Sequence, residues 1–188
     1  MEADKTLLHA AKKMNGEALV KIFEFYAPAL YNYAFRLCRD ALIADHIVGD
    51  VFAKFLEHLS AGTGPSTSLC AYLYKMAYHL VVDEARYSRR SAPLEVADFM
   101  HHHSYSAYAS VENRVLFETV IRAIQNDLTE DQRHVVILRY LNGFSLKETA
   151  TSLGKEVGNV KAIQSRAIGA LRKALDDPIL QKRAVSGD

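Results

Sequence analysis

The sequence predicts an all-α protein: two small helical bundles joined by a flexible linker, with a helix-turn-helix in the second. Three observations predict it. Apolar residues recur at intervals of three and four over most of the 188 residues, and no convincing strand pattern appears. That recurrence dissolves between Ser88 and Ser110, a stretch longer than most loops inside a compact domain. Finally, Leu128 to Leu175 carries helix-start signals, a tight-turn glycine and a basic segment in helix-turn-helix order.

The elements follow in chain order. Leu19, Ile22, Phe23, Tyr26, Leu30, Tyr33, Ala34 and Leu37 predict a long first helix, interrupted or bent near Pro28. Ile43, Ile47, Val48, Val51, Phe52, Phe55 and Leu59 repeat the pattern in a second helix. The Gly/Ser/Thr-rich run from Ala61 to Ser68 breaks it, and Ser68 is placed to cap a third helix from Leu69 to about Tyr87. Residues 91–110, with Pro93 and three consecutive histidines, read as a tether between units 1–90 and 111–188. Its freedom would let the two bundles match the spacing of two target elements.

Helices resume at about Val111 with Val115, Leu116, Val120, Ile121 and Ile124. Thr129 with Gln132, and Ser145 with Glu148, each fit a capping box. Ala150 is small enough for a close crossing, Gly154 allows the positive φ of a tight turn, and Val160 plugs the angle. The last helix would bury Val160, Ile163, Ala167 and Leu171 and turn Asn159, Lys161, Ala162, Ser165 and Arg166 outward. A small, polar and basic outer face suits a major groove. The plainer alternative is a helical hairpin whose basic residues are only solvated.

Composition narrows the function. At 49% hydrophobic residues the chain can build real cores, and its net charge of +1 is not that of a polycation. Basic charge is local. Lys155, Lys161, Arg166, Arg172 and Lys173 face only Glu156, and Arg86, Arg89 and Arg90 follow Glu84. Two basic patches suggest a polyanion touched at two places. No apolar run reaches the ~18 residues of a membrane span, and the acidic N-terminus does not read as a signal peptide. Cys38 and Cys70 lack metal-ligand spacing and fit free thiols in a reducing cytosol. The pair His46 and Asp50 has no third ligand in sight, and His101-His102-His103 fits a solvated loop. Phosphate-cradling and nucleophile motifs are missing, so the chain is read as no enzyme and as needing no cofactor or metal.

Three stretches together resemble the extracytoplasmic-function (ECF) sigma factors of bacterial RNA polymerase. Ala44-Asp45-His46-Ile47-Val48-Gly49-Asp50-Val51-Phe52 is similar to the family's helix that docks on the clamp of the largest polymerase subunit. Tyr72-Leu-Tyr-Lys-Met-Ala-Tyr-His-Leu-Val-Val-Asp-Glu-Ala-Arg86 is similar to its −10 segment, and Val157-Gly-Asn-Val-Lys-Ala-Ile-Gln-Ser-Arg-Ala to its −35 recognition helix. Four positions depart from the family pattern: His46 replaces Asp, Gly49 replaces Gln, Tyr72 replaces Trp and His79 replaces Asn.

The resemblance implies a cytoplasmic protein that brings core polymerase to promoters. The helix from Asp45 to about His58 would contact the polymerase core, through Asp45, His46, Gly49, Asp50 and Phe52. Tyr72, Lys75, His79, Arg86 and Arg89 would hold the −10 element, where unstacked bases need aromatic surfaces and cations; Tyr74 and Tyr78 belong to the same segment. Asn159, Lys161, Ala162, Ser165 and Arg166 would read the −35 element. The implied partners are the largest-subunit clamp, the second-largest-subunit flap, promoter DNA and an anti-sigma factor. A dimeric duplex-binding regulator and an all-helical adaptor are the alternatives. Palindromic sites would favour the first, and absence of salt-sensitive DNA binding the second.

Overall fold

The computed structural model describes residues 2–66, 68–90 and 111–175, with side chains described within 5–66, 68–87 and 118–175. All regular structure among them is helical: α1 (Glu2–Ala11), α2 (Gly16–Cys38), α3 (Ala41–Ser60), α4 (Leu69–Arg90), α5 (Val111–Asp127), α6 (Glu130–Val136), a π-helical turn (Ile137–Leu141), α7 (Leu146–Leu153) and α8 (Val157–Leu175). The chain forms two compact units, Met1–Phe99 with Lys147–Glu156, and Met100–Leu146 with Val157–Asp188. The tether expected at 91–110, with its three histidines, lies outside the described residues.

In the first unit, α2, α3 and α4 pack mutually and α1 leans on α2. Asn15 starts α2, its Oδ1 accepting from the Ala18 amide at 2.9 Å. The helix then runs through Pro28 without interruption. Proline removes one donor, but burial of Ile22, Tyr26, Leu30 and Tyr33 on either side holds the helix together. Arg39, at φ 59°, ends α2 with its N–H on the Phe35 carbonyl. Asp40 begins α3 at once, Oδ1 accepting from the Ile43 amide at 3.0 Å. Ser68 caps α4, its Oγ accepting from the Ala71 amide at 3.2 Å. Helix α1 is not foreshadowed by the apolar spacing. Among its described side chains the buried ones are Leu8 and Ala11, too few to stand out as a periodic pattern.

In the second unit α8 packs against α5 and α6. Gln132 Oε1 accepts from the Thr129 amide at 2.9 Å, the expected return half of that capping box. Val135, Val136, Ile137 and Leu138 are all buried, so the chain passes from α6 into the π turn inside the core.

Candidate nucleic-acid and partner interfaces

Helix α8 separates into two faces. Val160, Ile163, Ala167 and Leu171 are buried. Asn159, Lys161, Ala162, Ser165 and Arg166 are all exposed. Asn159, Ala162 and Arg166 share one row at i, i+3 and i+7, and Lys161 and Ser165 lie in the next. The centre of that face is Ala162 and Ser165, short enough for close approach to base edges, with cations on its flanks. Just before it, Gly154 takes φ +62° and the Lys155 amide donates to the Ala150 carbonyl at 2.9 Å, the left-handed helix stop expected at this glycine.

Sequence reasoning missed what orients α8 within its unit. Arg139, on the π turn, donates from Nε to Gln164 Oε1 at 3.1 Å and from Nη1 to the Phe144 carbonyl. Gln164 Nε2 donates in turn to the Tyr140 hydroxyl at 3.0 Å. A signal was present: Gln164 occupies the inward edge between Val160 and Ala167, where a polar residue needs partners.

In the first unit Asp45, His46, Gly49 and Asp50 lie together on the exposed side of α3. A groove between α3 and α4 is lined by His46 and Asp50 with Ile43 and Ile47 from α3, and by Leu80, Asp83, Glu84 and Tyr87 from α4. The acidic character of α3 therefore extends onto α4, which the sequence motif did not reveal. The Tyr31 phenol is pushed above its ordinary value by burial first, then by the Asp45 and Asp40 carboxylates. Phe52 is a correction. It is 8% exposed, with its ring tilted 58° against Phe23 at a centroid distance of 4.8 Å. An aromatic so packed holds α3 against α2.

On α4, Lys75, His79 and Arg86 are exposed, and Tyr72 is partly so. Positions 72, 75, 79 and 86 follow helical spacing along one side. Arg86 has an exposed Asp83 partner at 3.4 Å, an ion pair too solvated to hold the arginine back from a phosphate. Tyr74 is a second correction: at 2% exposure, edge-on to Tyr33 at 5.3 Å, it is a core aromatic. Tyr78 sits beside His79 at 5.3 Å. The side chain of Arg89 lies outside the described residues.

Neither Cys38 nor Cys70 is in a disulfide, and burial, then Glu84 and Asp40, push the Cys38 thiol up to about 12. Among the described residues no helix is long and apolar enough to cross a membrane, and no three metal-ligating side chains cluster.

Two family models match the chain, sigma-70 region 2 over residues 22–91 and sigma-70 region 4 over residues 126–173. The ECF RNA polymerase sigma factor BldN of Streptomyces coelicolor is 25% identical over 177 residues, spanning 91% of this chain; the chain covers 65% of BldN's length. SigL of Mycobacterium tuberculosis, described in the same terms, is 27% identical over 83% of this chain and 88% of its own. In fold, the chain is similar to CnrH solved with the cytosolic domain of CnrY, at TM-score 0.71 and 22% identity over 93% of this chain and 97% of that one. It is also similar to the sigma factor RpoE solved with the anti-sigma factor NepR from Bartonella quintana, at TM-score 0.63 and 23% identity over 84% and 96%.

Proposed function

We infer a division of labour along this chain from one premise: it belongs to the sigma-70 family, as an RNA polymerase sigma factor of the ECF type. It directs core polymerase to promoters and initiates transcription by sequence-specific DNA binding, with no catalytic step of its own. Asp45, His46, Gly49 and Asp50 on α3 meet the clamp of the largest subunit. Tyr72, Lys75, His79, Arg86 and Arg89 on α4 hold the opened −10 strand. The exposed face of α8 reads the −35 duplex beside the second-largest-subunit flap. The functional units are 1–90 and 111–188, joined by the tether at 91–110. The protein works in the cytoplasm, where a partner such as an anti-sigma factor covers its polymerase and DNA surfaces.

The observation that carries this reading is the sorting of α8. All five residues assigned to the −35 element are exposed on one face, while the opposite stripe is buried. A solvated hairpin would not need two small residues framed by Asn159, Lys161 and Arg166. Site-specific photocrosslinking tests the assignment. A crosslinker at position 162 should label −35 DNA, and one at position 75 the −10 element, in the holoenzyme only. Labels exchanged between the elements, or absent with polymerase bound, overturn it.

A further inference from the structure

His58, in the last turn of α3, is given no contact of its own in the division of labour, yet three parts of the first unit meet on it. Its ring Nδ1 is hydrogen-bonded to the Tyr72 hydroxyl on α4, with the ring centroids 6.1 Å apart. Its carbonyl accepts from Thr63, from the amide at 2.8 Å and from Oγ1 at 3.3 Å. The loop after α3 is therefore tied to the same residue that holds Tyr72. That loop is pressed close: a Cβ on Gly64 would stand 2.7 Å from Leu59 Cδ2. Phe55 flanks the Tyr72 ring at 6.4 Å. Burial raises the Tyr72 phenol above its ordinary value.

We propose that His58 is a positioning residue for promoter opening: its ring fixes the aromatic plane of Tyr72, and its carbonyl fixes the Thr63 loop beside it. This rests on the reading that Tyr72 faces the −10 strand. An aromatic held in one rotamer before DNA arrives loses less freedom when a base stacks on it. Losing one such hydrogen bond should lower opening roughly fivefold.

The test uses reconstituted holoenzyme at saturating core polymerase, reading opening by fluorescence of 2-aminopurine placed in the −10 element. Asn keeps a hydrogen-bonding group near the position of Nδ1, and Leu has similar bulk with none. His58→Leu should lower opening roughly fivefold while His58→Asn restores most of it. Tyr72→Phe should lower it similarly, and adding His58→Leu to Tyr72→Phe should cost nothing further. Equal behaviour of the Asn and Leu variants, or a full cost of His58→Leu in the Tyr72→Phe background, overturns the proposal. A separate arm judges the underlying reading. If Tyr72→Leu assembles into holoenzyme and opens the promoter normally, the −10 placement of Tyr72 fails, and the role of His58 with it.

Discussion

Arg139 and Gln164 are joined side chain to side chain, Nε to Oε1 at 3.1 Å, across 25 positions of sequence. Through this bond and the one from Gln164 to Tyr140, the π turn fixes the rotation of α8 about its own axis. If the outward residues of α8 read bases, their reading depends on that angle, because a small rotation replaces one row of side chains by the next. π-helical turns frequently mark functional positions, and here the turn places Arg139 and Tyr140 against α8.

Gln164→Leu should therefore lower the free energy of unfolding by about 1–3 kcal/mol, since the partly buried Arg139 loses a partner. Promoter binding should weaken alike for every −35 sequence, because the change disturbs orientation rather than one base pairing. Denaturant titration and a −35 substitution panel measure the two effects. Loss confined to a single base pair would mean that Gln164 reads DNA directly.

Lys161→Ala should weaken binding to all promoters and reduce its salt dependence, as expected of a phosphate contact. Replacing Asn159 or Ser165 should instead relax preference at one −35 position, by ~1–3 kcal/mol where the side chain pairs well with a base edge. Binding isotherms across a salt series distinguish these outcomes.

Asp50→Arg should weaken assembly with core polymerase by about tenfold or more, since it sets like charges opposite each other at a complementary surface. Asp50 is exposed, so the thermal midpoint should hardly change. Gly49→Ala should stabilise the fold by up to ~1 kcal/mol, because the site is helical and an added Cβ meets nothing within 4 Å. If Gly49→Ala stabilises the free protein yet lowers core affinity, the flat spot at Gly49 is itself part of the contact.

Cys38 should resist alkylation. With its pKa moved from 9.0 to about 12, the thiolate fraction at pH 8 is roughly a thousandfold below that of an unshifted thiol. The native state holds this proton more tightly than the unfolded chain does. The stability it contributes is full below pH 9 and is lost as pH rises from there towards 12. Iodoacetamide labelling should be slow in the native protein and fast in denaturant. Rapid native labelling would show an accessible, reactive thiol.

Periodic burial was readable from the sequence because it needs only spacing. The inward stripe of α8, the cap at Ser68 and the turn at Gly154 all follow from local rules, and the structure has them as expected. Three-dimensional pairing was not readable. Phe52 and Tyr74 match motif positions, yet their partners Phe23 and Tyr33 lie on another helix and bury them. The same limit hid His58, whose link to Tyr72 depends on how α3 and α4 pack. It also hid Asp83 and Glu84, which join Asp50 only once the groove between those helices forms.

Run-off transcription with purified core polymerase, with and without this chain, tests the central claim most directly. The template should carry a promoter selected by the holoenzyme. Specific transcripts are predicted only when the chain is present, and Lys161→Ala or Tyr72→Leu should reduce them. Transcription unchanged by the chain, together with tight specific binding of a palindromic duplex by the chain alone, would contradict the account and identify a conventional dimeric regulator.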